Sequence, residues 1–456
     1  MTKYPPLLKD GLRQVREGDL KPSEWAALCC DLIEAYDSNL KAWSYFDRNQ
    51  VERAAAILDR QNWKESKPFP ALAGAPLGVK DIFNTTDHPN SMGSAARKGY
   101  WPGNDARVIT TAKLLGAQML GKTTTAEFAV HYAPETVNPR NPGLICGTSS
   151  TGSAVAVATG MVPAALGTQS AGSIARPASY NGIVGFKPSF GMVPRTGVLK
   201  TCDTLDTIGW MTRGVEDAQI LFSALRVRGG NYPVIEKGIY KNMARFADSK
   251  SFKIGLLKAP GYENIMPDSL TKIEQLALQL NNRPDLEVIE IDLRGKLATA
   301  HHTHATIYDK SLAYYFQREL QNTEVISPIF KEIVARATEI SPDDFFAALD
   351  EQERLTRVVD EEFQTCDFFL LPSTAGEAPA VGTDEPRDSS LIWTLTGCPV
   401  LSLPLLQGEN GYPVGVTLVG PKYSDMNLLE MAKREIMPDA VDIVTPVTGG
   451  KARLSA

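Results

Sequence analysis

The chain has 456 residues, of which 43% are hydrophobic and 22% charged, and its formal net charge at pH 7 is −6. This composition is typical of globular proteins, and a chain of this length can bury a large core without cross-links. The charges are spread along the sequence without a basic block. Because binding to a phosphate backbone needs clustered Lys and Arg, we expect no nucleic-acid partner.

The six cysteines show no CxxC spacing, which argues against a disulfide framework and against a zinc site. The first residues lack the apolar segment of a secretory signal. The longest apolar run, Ala154 to Gly167, is too short to span a bilayer. We therefore expect a soluble cytoplasmic protein with no membrane partner.

Hydrophobic periodicity, together with Gly, Pro and helix-cap signals, predicts the secondary structure. The predicted elements are two or three amphipathic helices over residues 9–63, a strand over 76–82, a helix over 105–115, a strand over 118–120, a helix over 268–280, a strand over 286–291, a helical stretch around 297–320, and three short buried strands in DFFLLPS, CPVLSLPL and YPVGVTLVG. Alternation of strands and helices predicts an α/β fold, with a mixed, mostly parallel central sheet flanked by helices.

Residues 1–70 are expected to form an N-terminal helical segment that packs on the core. Residues 71–456 are expected to form one α/β domain, in which residues 225–390 are a variable region that shapes the substrate pocket. The segment GAQMLGKT fits the P-loop pattern, but a predicted helix precedes it and its middle residues resemble a strand. We therefore interpret this segment as a helix–strand connection followed by an ordinary turn.

Three segments combine the residue types that amide hydrolysis requires. GAPLGVKDIF places Lys80 at the end of an apolar strand, CGTSSTGSA places Ser149 in a loop of small residues, and GTQSAGSIARPAS places Ser173 in another. A serine hydroxyl becomes a nucleophile only when a base takes its proton. A lysine can serve if burial lowers its pKa, and Asp81 should point to the opposite face of the strand.

The run from Ser170 through Ala171 and Gly172 to Ser173 offers consecutive backbone N–H groups with little side-chain bulk. Such a run can form an oxyanion hole, in which the loss of one donor typically costs ~3 kcal/mol.

Together the three segments resemble the amidase-signature family, and the likeness extends from about Leu72 to Pro421. TLDTIGWMTRGVEDA and GCPVLSLPL resemble further stretches of that family. The resemblance implies the amidase-signature fold, with Ser173 as nucleophile, Ser149 as bridging serine held through a cis peptide, and Lys80 as base. It also implies an oxyanion hole at Ser170 to Ser173, a small-molecule amide substrate, and no metal or organic cofactor.

The chain departs from the family pattern at several positions of the two serine loops. Thr148 and Thr151 replace glycines around the bridging serine, Gln169 stands where Asp is common, and Arg176 follows the nucleophile one position later than usual. This variant resembles the malonamidase-like branch and carboxybiuret hydrolases, in which the shifted arginine binds a substrate carboxylate. The resemblance implies a small amide or ureide with an acidic group. A structural ion pair of Arg176 is the equally weighted alternative.

Other interpretations stay open from the sequence. The histidines at 301, 302 and 304 form either a polar helix face or part of the substrate pocket, and Cys146 is expected to be a buried filler. The substrate can instead be a neutral or aryl amide or a hydrazide. The chain can act alone, as a homodimer, or as the catalytic component of an amide-transfer or hydrolase complex with a small helical partner. A non-catalytic scaffold is the third hypothesis, and the intact Lys80, Ser149 and Ser173 argue against it.

Overall fold

The computed structural model describes residues 4–61, 65, 67–130, 134–246, 249, 251–321 and 324–447. One 11-stranded sheet forms its centre. The strands of this sheet are β1 (Trp43–Phe46), β2 (Pro76–Lys80), β3 (Gln118–Thr123), β4 (Ala164–Gln169), β5 (Val184–Lys187), β6 (Thr207–Thr212), β7 (Phe252–Lys258), β8 (Leu286–Asp292), β9 (Phe368–Pro372), β10 (Val400–Gln407) and β11 (Pro413–Val419). Their order across the sheet is β1-β3-β2-β4-β6-β5-β10-β11-β9-β7-β8.

Helices flank the sheet and bury their apolar faces in one continuous core. The α-helices are α1 (Leu8–Glu17), α2 (Pro22–Leu40), α3 (Arg48–Leu58), α4 (Arg107–Leu114), α5 (Thr151–Ala158), α6 (Ala175–Asn181), α7 (Val215–Leu225), α8 (Pro233–Phe246), α9 (Pro267–Asn281), α10 (Ala300–Tyr315), α11 (Pro328–Thr338), α12 (Pro342–Glu362), α13 (Ser390–Leu395) and α14 (Asp425–Met431). None of the helices within the described ranges has both the length and the apolar character needed to cross a membrane.

The prediction of an α/β fold with a mixed sheet is confirmed, but the expectation that the sheet is mostly parallel is wrong. Among the described strands, six neighbouring pairs are antiparallel and four are parallel. The parallel pairs lie around β2 and β7. The β10–β11 connection is a short hairpin, which forces antiparallel pairing because a parallel pair needs a long crossover.

The N-terminal part follows the predicted helices, with one addition. Three helices, α1 to α3, lie where two or three were expected, but between α2 and α3 the short strand β1 pairs antiparallel with β3 at the sheet edge. Strand β1 spans only Trp43–Phe46, too few residues to show an alternating pattern. The division of the chain at residue 70 stays a prediction.

The arrangement of β2, β3 and β4 positions the candidate site. Strand β2 lies between β3 and β4 and is parallel to both. Parallel strands end at the same edge of a sheet, and ligands commonly bind outside the carboxyl ends of such strands. Lys80 ends β2 and Gln169 ends β4. The loop with Ser170 to Ser173 therefore begins at the edge where the Lys80 side chain lies.

Candidate active site

The side chain of Lys80 is fully buried at the carboxyl end of β2. Its amine nitrogen Nζ lies 2.8 Å from Ser149 Oγ, 3.0 Å from Thr168 Oγ1 and 3.1 Å from Ser150 Oγ. Burial lowers the pKa of Lys80 to about 7, and the negative charge of Asp206 opposes this shift. The strand thus holds an amine that is partly neutral near pH 7.

The three hydroxyl contacts match the hydrogen-bonding capacity of a neutral amine. Such an amine has two N–H donors and one lone pair. It can accept from the Ser149 hydroxyl while donating to Ser150 and Thr168. Ser150 is itself fixed, because its oxygen accepts from the backbone N–H of Thr168 and its hydroxyl donates to the Thr168 carbonyl oxygen. This arrangement leaves the lone pair of Lys80 directed at Ser149.

Asp81 faces away from Lys80, as the alternation of strand side chains predicts. Its carboxylate lies 3.5 Å from Lys122 Nζ and accepts a hydrogen bond from the backbone N–H of Ser91. Lys122 is buried in β3, which follows α4, and donates to the carbonyl oxygen of Phe83. The expected helix–strand connection in GAQMLGKT is confirmed, but the expected turn after it is wrong, because Gly121 to Thr123 belong to β3.

The loop that carries Ser149 contains a cis peptide bond between Thr148 and Ser149. The Thr148 N–H donates to Glu385 Oε1 at 2.7 Å, and the Thr151 hydroxyl donates to the Gly147 carbonyl oxygen at 2.8 Å. The Thr151 hydroxyl therefore adds a hydrogen bond that a glycine could not make, whereas the Thr148 N–H bond is available to any residue other than proline.

The second serine loop, residues 170–174, lies between β4 and α6. Gln169 fixes this loop, because its side-chain oxygen accepts hydrogen bonds from the N–H groups of Ile174 and Ala175 at 2.9 and 3.1 Å. The Gln169 amide donates to Thr394 Oγ1, and Thr394 donates to the Ala171 carbonyl oxygen. A neutral glutamine can thus cap the start of α6 and fix the loop at the position where the family often has Asp.

The backbone N–H groups of Ser170, Ala171, Gly172 and Ser173 have no hydrogen-bond acceptor in the part of the chain that the structure describes. Buried N–H groups are normally paired. Unpaired backbone donors next to a serine are available to bind an oxyanion. Ser173 is 7% exposed, and no hydrogen bond joins its hydroxyl to Ser149 within the described residues. The structure therefore brings Lys80 and Ser149 into contact but leaves Ser149 and Ser173 without a direct hydrogen bond.

Arg176 is buried and held by carboxylates of the protein. Its Nε and Nη2 atoms donate to the two oxygens of Asp388 at 2.7 and 3.0 Å, and Nη1 lies 3.4 Å from Glu385 Oε2. The guanidinium packs on the nucleophile loop, since a Cβ at Gly172 would lie 2.8 Å from Arg176 Nε. These contacts are those of the structural ion pair that the sequence left as an alternative.

Two histidines of α10 contact the same region. His304 Nε2 lies 2.8 Å from the Ser170 carbonyl oxygen, and His301 Nε2 lies 2.9 Å from the Asp388 carbonyl oxygen. A carbonyl oxygen only accepts, so each Nε2 carries a proton. Burial lowers the pKa of His304 to about 4, which keeps it neutral at pH 7. His302 is exposed on another face of the helix. The histidines thus support the site from α10.

The described residues contain no group of three His, Cys, Asp or Glu side chains that could hold a metal ion. Cys146 is buried next to the Ser149 loop, and burial raises the pKa of its thiol well above the ordinary value. A thiol with such a pKa stays protonated and is a poor nucleophile. Cys146 also borders a cavity of about 700 Å³ that is lined by Thr148, Arg176 and Glu385.

Comparison with known proteins identifies the family of the chain. The family model named Amidase matches residues 24–429. The chain belongs to the amidase family. The glutamyl-tRNA(Gln) amidotransferase A subunit of Akkermansia muciniphila is 30% identical, over 94% of this chain and 98% of the relative. Its counterpart in Endomicrobium trichonymphae is 28% identical, over 93% and 95%.

The solved structure of native peptide amidase from Stenotrophomonas maltophilia superposes with a TM-score of 0.80 at 25% identity, over 97% of this chain and 99% of that chain. The amidase described here therefore has the amidase-signature fold and is an enzyme that hydrolyses amide C–N bonds.

Sequence reasoning missed several residues of this amidase site. Thr168 and Asp206 act on Lys80, and Glu385 and Asp388 hold Arg176. Thr168 lies within the segment already singled out, and its position two residues before Ser170 was the available signal. The others come from segments far along the chain, and no local pattern in the sequence points to them.

Proposed function

We propose that this amidase forms an acyl-enzyme on Ser173, with Ser149 as proton relay and Lys80 as base. The observation that carries the proposal is the hydrogen bond of 2.8 Å between Lys80 Nζ and Ser149 Oγ. It is made by a fully buried lysine whose pKa is lowered to about 7. Near neutral pH such a lysine has an available lone pair and can take a proton.

In the proposed reaction, the Ser173 oxygen attacks the substrate carbonyl carbon. Its proton passes to Ser149, and the Ser149 proton passes to Lys80. The N–H groups from Ser170 to Ser173 stabilise the oxyanion. The C–N bond then breaks, and the leaving nitrogen receives the proton along the same relay. Water repeats the sequence on the acyl ester, so each cycle consumes one water and releases one acid and one amine or ammonia.

The relay requires Ser173 to approach Ser149 during catalysis. Catalytic hydrogen bonds are often long before substrate binds and become short only in the complex. In this proposal, rotation of the Ser173 side chain on substrate binding completes the relay. The hydrogen bonds from Gln169 and Thr394 keep the loop backbone in place while the side chain moves.

The decisive experiment traps the acyl-enzyme. A screen of acidic, neutral and aromatic amides, ureides and hydrazides first finds a substrate by ammonia or amine release. Rapid quenching and mass spectrometry should then show an acyl adduct on the intact enzyme and none on Ser173→Ala. Ser223→Ala, the same change on α7, should keep both adduct and turnover. Turnover retained by Ser173→Ala would exclude Ser173 as the nucleophile.

The identity of the substrate is a separate proposal. The sequence of the nucleophile loop favours the malonamidase-like branch and a substrate carboxylate bound by Arg176. Against this, Arg176 already donates to both oxygens of Asp388. A guanidinium that is neutralised by a protein carboxylate has little charge to offer a second one. We therefore favour a positioning role for Arg176, with neutral amides, aryl amides or hydrazides as further candidates.

A second candidate function is catalysis within a complex. The observation in its favour is the likeness, at 28–30% identity over more than nine-tenths of the chain, to components of glutamyl-tRNA(Gln) amidotransferases. The chain expressed alone, measured by light scattering and by amide hydrolysis, tests this idea. Full activity of a monomer or homodimer would argue against it. Activity that appears only with a small accessory protein would support it.

A further inference from the structure

The cavity beside the Ser149 loop is rich in acidic side chains. Its charged residues within the described part of the chain are Glu135, Arg176, Asp384 and Glu385. Glu135 forms an ion pair with Lys41, which is not part of the cavity wall, so Asp384 and Glu385 are the remaining carboxylates of the wall. Its wall includes Gly147 and Thr148, which directly precede Ser149. Because this wall adjoins Ser149, the part of a substrate remote from the reacting carbonyl can extend into the cavity.

The positive charge of Arg176 is balanced by a carboxylate that lies outside the cavity wall. Asp388, which is not part of the cavity wall, binds the guanidinium through both oxygens at 2.7 and 3.0 Å. Both side chains are almost completely buried. Bidentate pairs of this type are the strongest arginine–carboxylate contacts. Arg176 is therefore shared between Asp388 and Glu385, and the three side chains together carry one more negative than positive charge when both carboxylates are ionised.

Glu385 is placed to contact a ligand. Its Oε1 accepts from the Thr148 N–H at 2.7 Å, and its Oε2 lies 3.4 Å from Arg176 Nη1, a long contact. The side chain is 11% exposed. A carboxylate can accept about four hydrogen bonds. The Thr148 N–H, the Thr148 side chain and Arg176 supply three of them, so Glu385 can accept one more. A cationic donor would satisfy it, whereas a second carboxylate would be repelled.

We propose, on the basis of the proposed acyl-enzyme function, that this cavity selects amides whose remote end carries a protonated amine. Glu385 sets the preference, and Arg176 fixes the position of Glu385 without reading a substrate carboxylate. The order of preference is cationic, then neutral, then anionic at equal length. This order reverses the preference that the sequence of the nucleophile loop suggests.

Three amides of matched length test the order: 3-aminopropanamide, butanamide and malonamate. For the intact enzyme, we expect kcat/KM to be at least about tenfold higher for 3-aminopropanamide than for malonamate. Glu385→Gln keeps the oxygen that accepts from Thr148 but removes the charge, and it should lower this ratio about tenfold. Glu361→Gln, the same change at an exposed position of α12 outside the cavity, should leave the ratio unaltered.

Binding to Ser173→Ala, measured by calorimetry with the same three compounds, gives a readout that does not depend on turnover. It should follow the same order, and the order should disappear in the double variant with Glu385→Gln. Ser173-dependent hydrolysis that prefers malonamate, or no difference in binding among the three, would overturn this inference alone. Hydrolysis that survives Ser173→Ala would instead overturn the proposed function.

Discussion

The amine of Lys80 lies 2.8 Å from the hydroxyl oxygen of Ser149, and both side chains are buried. Because only the neutral amine can take a proton, kcat/KM should rise about tenfold per pH unit on the acid side and level off above about pH 7. A pH–rate profile measures this directly. A profile that is flat across pH 7 would remove Lys80 as the titrating base.

Replacing Lys80 by methionine should lower kcat about 10²–10⁴-fold, the range attributed to a general base, and abolish the acid limb of the profile.

The same substitution should also change how the stability of the fold depends on pH. Burial lowers the pKa of Lys80 from 10.5 to about 7. Between these values the unfolded chain holds a proton that the folded chain lacks, so the free energy of unfolding rises with pH. In denaturant titrations at several pH values, the free energy of unfolding of Lys80→Met should rise less steeply with pH than that of the wild type.

Thr168 supplies one of the three hydroxyl contacts of Lys80, at 3.0 Å. Thr168→Val keeps the shape but removes the oxygen, so the amine loses a fixed partner and its lone pair is no longer directed at Ser149. We expect kcat to fall about tenfold, since small errors of orientation cost large factors in rate. Thr159→Val, also buried but distant from Lys80 in the α5–β4 connection, is the matched control. Equal rate losses in both variants would indicate general destabilisation.

His304 donates to the carbonyl oxygen of Ser170, whose peptide also contains the N–H of Ala171. This hydrogen bond both fixes the loop and polarises that N–H donor. His304→Phe should lower kcat about tenfold with little change in KM, and His304→Gln, which can still donate, should restore much of the loss. His302→Phe, on the exposed face of α10, should behave as wild type. Failure of glutamine to rescue would make packing the role of His304.

Gly147 has a φ of +81°, and a Cβ there would lie 2.8 Å from the backbone nitrogen of Pro177. Gly147→Ala should destabilise the fold by about 1–2 kcal/mol through the positive φ and by about 1–3 kcal/mol more through the clash. Gly103→Ala has a φ of +73° and open space around the added carbon. In chemical denaturation, Gly103→Ala should show only the loss of about 1–2 kcal/mol that comes from the positive φ. Similar losses of stability in the two variants would mean that the Ser149 loop shifts to accommodate the added methyl group.

The secondary structure near the site was predictable because its signals are local. The strand that ends at Lys80 was expected over 76–82 and spans 76–80, and the helix after it was expected over 105–115 and spans 107–114. The direction of the strands was not predictable in the same way. The sequence signal of a buried strand is the same in parallel and antiparallel pairs. The length of the connection indicates the relative direction only for strands that are consecutive in the chain, such as β10 and β11.

The sequence by itself determined the family, the apolar setting of Lys80 and the two small-residue loops with Ser149 and Ser173. These features lie in short continuous segments, where residue type and spacing carry the information. Only the tertiary structure decided what surrounds Arg176. Its partner Asp388 is 212 residues away along the chain and makes contact because α6 and the segment before α13 meet beside the sheet. Charge balance is a sum over neighbours in space, and a sequence motif specifies only neighbours along the chain.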